Sequence, residues 1–538
     1  MFLVSKRRRV AVAVVAMLLA GGTLPALAQN QANAPAVVIQ VRNVQELIDD
    51  ARYLAETIGG PAGAGIFEGL LQQVAPQGKI PGVDETRPVG AVIGFGQFGE
   101  VQMPVFFVPI RDQDAFRKFL KQYFLQEQKL QDDLYFYQSP DQAIYAKFTE
   151  RTCYLSLLPT ALESPPNVAK LPAPKRDIEL VIHLDRFPPE FLTALDAQLQ
   201  IALAQAQAAA PEQPENETER LAGELGQKVV VQSMKTLLTE AAEIRVSLDV
   251  DRQNQKVLMA FSTSARPDTG LAALISSLGQ TRSRYTAILS SEDFARVVCA
   301  VPLNEGVRND LIHLLTQLEK DLAQDQEADV QRVKPLLHAV RQCLSKTTTI
   351  EFAAAARVVE GHPVFIVAGS LADPAAIQEG IVALAKSDPD LNVKVTDSQI
   401  SIATGENEEL AILFSDNSFY AAVGRSDVAA KLAQEARGAV EAAPSQALSR
   451  PFALVADAKR LIAFEAESGD TEEDRQQAQA MLDAIGDAPA QVAILAEVKN
   501  GVYELRFEVQ EGVLKAIGVL ASMAAAELEG FEVDSNVQ

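Results

Sequence analysis

Short β-branched runs alternate along the chain with longer stretches in which apolar residues recur at helical spacing. Residues 37–41 are apolar and β-branched, a composition that packs well on a pleated surface. Leu47, Leu54 and Ile58 follow at helical spacing until Gly59-Gly60-Pro61 breaks the helix, and a second short helix is expected over 65–74. Strands over 89–95 and 101–110, separated by a Gly-rich turn, lead into a helix over 112–124 with Phe116, Phe119, Leu120 and Tyr123 on one face. The order is β-α-β-β-α.

That order is expected three more times. The second unit has strands at 178–184, 243–250 and 256–262, with helical stripes at Leu192, Leu195, Leu199, Leu203 and at Leu221, Leu225, Val229, and a helix over 269–278. In the third, a strand from Val297 precedes two long helices striped by Leu311, Leu315, Leu318, Leu322 and by Val330, Val333, Leu337, Val340, Leu344. Strands at 348–358 and 363–368 and a helix over 374–385 complete it. The fourth runs from 452–456 through helical sequence to strands at 491–498 and 502–509 and a helix over 513–528. Three short strands (134–138, 143–148, 152–157) separate the first two units, and four (393–396, 399–403, 409–414, 418–423) separate the last two. Hairpins force antiparallel pairing and the helices need a sheet face to cover, so the fold class is α+β.

The units also match in sequence. Pro104-Val105-Phe106-Phe107-Val108 recurs as Pro363-Val364-Phe365-Ile366-Val367, an offset of 363 − 104 = 259. Val37-Val38-Ile39-Gln40-Val41 is echoed by Val297-Val298-Cys299-Ala300-Val301 at 297 − 37 = 260, and 177–182 more loosely by 451–456. Matches in the same order at similar spacing predict a duplicated architecture. The expected halves are 37–280 and 285–530, each with βαββα units and a small antiparallel insert around antiparallel sheets. They are flanked by a signal peptide (1–28), a flexible N-terminus (29–36) and a C-terminal tail (531–538). Segments 164–175 and 437–450, rich in Pro and Ala respectively, read as connections within each half.

Composition adds location. Lys6, Arg7, Arg8 and Arg9 precede an apolar stretch from Val10 to Ala20, and Ala26-Leu27-Ala28 forms an A-x-A site expected to be cut before Gln29. The apolar stretch is short of the ~20 residues of a spanning helix. The mature chain is therefore expected to be extracytoplasmic, periplasmic or secreted, and not membrane-spanning. The formal charge of −23 becomes −27 once those four basic residues are removed, 44 against 71 acidic. Such a surface repels phosphate backbones, which argues against nucleic acid as a partner. Hydrophobic residues make up 48% of the chain, enough to build cores and to rule out general disorder. Cys153, Cys299 and Cys343 are too few for a disulfide framework, and a Cys299–Cys343 bridge stays open.

Candidate chemistry is sparse. Gly94-Phe95-Gly96-Gln97-Phe98-Gly99 fits G-x-G-x-x-G after a strand, but the next segment is another strand rather than the helix a pyrophosphate site needs, so the glycines read as a hairpin turn. His183, His313, His338 and His362 lack metal-site spacing, and His183 is expected on the solvent side of its strand. Asp249-Val250-Asp251 can place two carboxylates on one face but lacks the Gly and Glu of an EF-hand, and the acidic segment 469–474 reads as a solvated helix start. No G-x-S-x-G elbow occurs. No catalytic, cofactor-binding or metal residue is singled out.

An A-x-A signal followed by duplicated strand-helix-hairpin units with P-V-F-hydrophobic-V strands resembles large exported bacterial proteins of unknown function. The resemblance covers most of the mature chain at the level of pattern and implies neither activity nor site residues. The function expected is non-enzymatic binding or scaffolding of a protein or apolar ligand. The alternatives are a carrier of lipid or another apolar ligand, held between striped helices and sheet, and a hydrolase without a recognisable motif.

Overall fold

The computed structural model describes residues 34–534 apart from 76–78, 96–99, 132, 141–142, 209–216, 325–327, 388–391, 397–398, 406, 443–449 and 470. The expected signal peptide, the first part of the flexible start and most of the G-x-G-x-x-G turn lie outside the described residues. The chain is a mixture of helices and antiparallel strands, an α+β protein. It divides into two compact units. The first comprises the chain to Arg52, Gly65–Leu199 and Ala242–Leu248; the second comprises Tyr53–Ala64, Gln200–Ala241 and everything from Asp249.

From β1 (Val37–Val41) of the first unit the chain runs into helix α1 (Val44–Val74), whose residues 53–64 belong to the second unit and whose Gly60 has φ 57° beside Pro61. Glycine adopts that backbone without a Cβ penalty, so the helix breaks at Gly59-Gly60-Pro61 as expected, and the span holds two helical stretches joined at that kink. Then come β2 (Val89–Ile93), β3 (Val105–Pro109) and helix α2 (Gln113–Tyr123), which is capped by the Asp112 side chain. Strands β4 (Gln126–Gln131), β5 (Leu134–Gln138), β6 (Ala143–Phe148), β7 (Thr152–Ser156), β8 (Ile178–His183) and β9 (Ala241–Asp251) follow. Neighbours run β9-β8-β1-β2-β3-β7-β6-β5-β4, each pair antiparallel. Strand β4 escaped the sequence reading because its sequence, QEQKLQ, carries no apolar alternation. Helices α3 (Pro189–Ala208) and α4 (Glu217–Glu240) lie in sequence between β8 and β9.

The second unit contains β10 (Lys256–Ala265), α5 (Gly270–Gln280), β11 (Ala295–Pro302), α6 (Glu305–Gln324), α7 (Ala328–Lys346), β12 (Thr349–Val359), β13 (His362–Ser370) and α8 (Pro374–Ser387). Next are β14 (Val393–Val395), β15 (Gln399–Ala403), β16 (Glu408–Ser415), β17 (Ser418–Arg425) and α9 (Ser426–Ala442). The last elements are β18 (Phe452–Asp457), α10 (Ala458–Ser468), α11 (Glu472–Ile485), β19 (Gln491–Lys499), β20 (Val502–Gln510) and α12 (Glu511–Asp534). Strand neighbours run β10-β20-β19-β18-β11-β12-β13-β17-β16-β15-β14, again all antiparallel. Part of the segment read as an Ala-rich connection, 437–442, is the end of α9, since Ala ranks first in helix propensity.

Each core forms where one face of a sheet is covered. In the second unit, Ala429, Leu432, Ala433, Ala436 and Val440 of α9 pack on Val298, Ala353, Val364, Ile366 and Tyr420. The matching position in the first unit, after β7 and before β8, holds no α-helix. Two 3₁₀ turns, Pro159–Leu162 and Val168–Lys170, form a proline-rich strap there. Leu162, Val168 and Leu171 of that strap pack with Val38, Val105, Phe107 and Val181. Pro159, Pro165, Pro166 and Pro172 each lack the amide hydrogen an interior helical turn requires, which is why the strap does not coil.

Candidate functional site

Successive side chains of a strand point to opposite faces, and the ladder registers of β1, β8 and β9 put a polar set on the face under the strap. Gln40 lies opposite Glu179, Val38 opposite Val181, and Val181 opposite Arg245. His183 lies opposite Glu243. These residues floor a cavity of about 510 Å³, walled by Pro165, Pro166 and Pro172 of the strap and bordered by Arg186 and Lys170.

The charges on the floor are tied to one another. Arg245 Nη1 donates to Glu179 Oε2 at 2.9 Å and Nη2 donates to Glu243 Oε1 at 2.9 Å. Glu179, 3% exposed, also accepts from the Lys175 backbone at 2.8 Å. His183 Nδ1 stands 3.4 Å from Glu243 Oε2. Burial, and then the Arg186 guanidinium, hold the His183 pKa below its ordinary value against the opposing pull of Glu243, so the ring is neutral at pH 7. Arg186 Nη1 donates to the Pro35 carbonyl at 2.7 Å. Gln40 is 5% exposed, and its carboxamide makes no hydrogen bond among the described residues.

None of these residues was singled out from the sequence. His183, expected on the solvent side, faces this cavity instead. The signal available was polar residues at alternate positions, Glu179 with His183 and Glu243 with Arg245, on strands whose other positions are apolar. Ser164 lines the same cavity, but no hydrogen bond joins it to His183 among the described residues, so the lining does not present a paired nucleophile and base.

The other sequence candidates are accounted for locally. Asp251 accepts from Asn254 in the β9–β10 turn, which lowers its pKa. His338 is held by Arg341 and Gln342 on its own helix. Thr471 and Asp474 form a capping box at the start of α11, as a solvated helix start requires. Cys153, Cys299 and Cys343 are free thiols. No group of His, Cys, Asp and Glu able to hold a metal occurs among the described residues. No described helix is long and apolar enough to cross a membrane.

The opposite face of each sheet is apolar and partly open. In the first unit Val246, Leu180, Ile39, Ala91 and Phe106 form one row across five strands. Ile39 is 38% exposed and Phe106 49%. In the second, Met259, Phe507, Ile494, Leu454, Val297, Ala354, Val367 and Ala421 form a row across eight strands, with Met259 47% exposed. The helix stripes behave alike: Leu199 and Leu315 are only half-buried.

No family model matches the chain, and no curated protein matches it. Among solved structures, crystal form III of TP0453 is similar over 43% of this chain and 96% of that one, at 8% identity and a TM-score of 0.20. A similarity that low supports no statement about fold or function.

Proposed function

We propose that the chain is an exported, non-enzymatic binding protein made of two related halves, and that it carries a lipid or another apolar ligand. The single observation behind the ligand class is the pair of apolar sheet faces that stay partly open while half-buried leucine stripes run along the helices. Contiguous apolar surface beyond a few hundred Å² is disfavoured on a soluble monomer unless something covers it. A chain with net charge −23 has ample polar sequence to avoid such surface.

The duplication draws its support from strand order. Adding ten to each label of the first sheet from β9 to β4 reproduces the order β19 to β14 of the second. The three sequence matches fall on β1 and β11, β3 and β13, and β8 and β18. Export rests on the signal-like first 28 residues.

Native mass spectrometry of protein purified from the extracytoplasmic fraction without detergent tests the carrier reading. A stoichiometric apolar adduct, displaced by a fluorescent fatty acid, is expected. A ligand-free mass together with no uptake of the fatty acid would end the carrier reading and leave a protein partner for those faces.

A further inference from the structure

We propose that the cavity beneath the proline strap is a binding site for a small organic carboxylate, separate from the apolar faces invoked above. Three independent features converge on it.

The first is that the cavity is confined to one unit. Aligning Val38 with Val298 brings Gln40, Glu179, His183, Glu243 and Arg245 onto Ala300, Pro451, Val455, Ala493 and Leu495. In the second unit these positions are apolar, and α9 packs over that face of the sheet as core. The first unit replaces that helix with a proline strap and the apolar floor with charged and amide groups. Packing alone explains neither change, because the apolar version already closes a sheet of the same strand order.

The second feature is Gln40. The residue is 5% exposed, and its carboxamide, without a hydrogen bond among the described residues, opens onto the cavity. Facing the cavity, it is free to meet a polar group of a ligand held there. Its NH2 can donate to a ligand carboxylate, which when ionised only accepts, and its carbonyl can accept from a ligand hydroxyl.

Charge is the third. Arg245 is shared by Glu179 and Glu243, whereas Arg186 and Lys170 have no carboxylate partner among the described residues. With His183 neutral, three cations face two carboxylates, so the lining is net positive in a strongly acidic chain. Arg186 spends one donor on Pro35 and keeps the rest of its planar fork, a geometry that matches a carboxylate in bidentate fashion. Val38, Val181 and the prolines provide apolar walls for a short carbon skeleton. The volume falls in the range of small-molecule sites.

The test is calorimetric titration of the full mature chain with acetate, succinate and citrate, with succinamide as the uncharged control and inorganic phosphate as the competing anion. At least one carboxylate is expected to bind saturably at one per chain, and succinamide not to bind. Arg186→Gln is expected to weaken binding at least ~10-fold, the loss of a charge-assisted pair. Arg186→Lys, which keeps the charge and loses the fork, should weaken it less. Gln40→Leu, close in volume, should also weaken binding while leaving the melting temperature of the free protein unchanged or raised. The proposal is overturned if none of the carboxylates binds, if phosphate alone binds, if both Arg186 variants bind as the parent does, or if Gln40→Leu lowers the melting temperature and so reveals a structural role.

Discussion

Acid should loosen the first unit through one carboxylate, Glu127 on β4. Its side chain is 9% exposed and accepts from Tyr137 Oη at 2.7 Å and from Arg117 Nε and Nη2 at 3.0 and 3.1 Å, with Lys121 Nζ also at hydrogen-bonding distance. Burial alone would raise its pKa, but the hydrogen bonds from Arg117, Lys121 and Tyr137 outweigh it and bring the value down to about 2. A folded-state pKa below the unfolded one contributes stability above the unfolded value, near 4.5, and that stability drains away as pH falls toward 2. At about 1.4 kcal/mol per unit, and allowing for the half-exposed Lys121, the network is worth about 2–3 kcal/mol at pH 7. Glu127→Gln removes the titration while keeping the shape. Urea unfolding, followed by tyrosine near-UV circular dichroism because the chain has no tryptophan, should show the variant weaker by about that amount at pH 7 and equal to the parent near pH 2. A stability gap that does not change between pH 7 and pH 2 would refute the reasoning.

Further outcomes follow from other parts of the molecule. N-terminal sequencing of the exported protein should begin at Gln29, and a membrane-bound form retaining residues 1–28 would count against the export reading. Gly90→Ala should destabilise by about 1–3 kcal/mol or more, measured by chemical denaturation, because a Cβ there would lie 2.1 Å from the Ile39 carbonyl oxygen and 2.8 Å from the Phe107 ring. Leu315→Ala should cost less than the ~2–5 kcal/mol of a fully buried leucine, since Leu315 is only half-buried; a loss within that range would mark α6 as ordinary core. Cys153 is fully buried and its pKa is raised by that burial, so it should resist a thiol reagent at pH 7 until the protein is unfolded, and rapid labelling of the native state would contradict its placement.

The order of strands and helices was readable because most elements announce themselves by period: β12 and β13 as apolar hairpin strands, α2 by its single aromatic face. Two elements did not. Strand β4 is polar throughout and is held by pairing with β5, a tertiary cause invisible to periodicity. Helix α9 is alanine-rich, and alanine marks a helix by propensity while contributing little to an apolar stripe. The cavity was missed for a different reason. Period-two reasoning places the apolar positions of a strand inward and so puts His183 toward solvent, and nothing in the local sequence identifies the strap as a cover over that side.

That covered side links the two proposals. Strand β1 buries Gln40 at 5% exposure and leaves Ile39 at 38%; β8 buries Glu179 at 3% and leaves Leu180 half-buried. The strap face thus mixes core residues such as Val38 and Val181 with charged and amide groups, although burying such groups costs more than exposing them and burying an isoleucine is favourable by about 1.5–3 kcal/mol. The pattern is maintained across three neighbouring strands by the registers Gln40–Glu179 and Val181–Arg245 on one side and Ile39–Leu180–Val246 on the other. Val38 and Val181 share the strap face and pack under it, so a one-residue slip would carry core residues to the open side as well. Burying polar groups beside that core is physically reasonable if each face has something to meet: a polar ligand enclosed between sheet and strap, and an apolar one laid on the open side. The second unit has the open apolar side and lacks the polar one among its described residues, so the two binding readings separate by location and neither depends on the other.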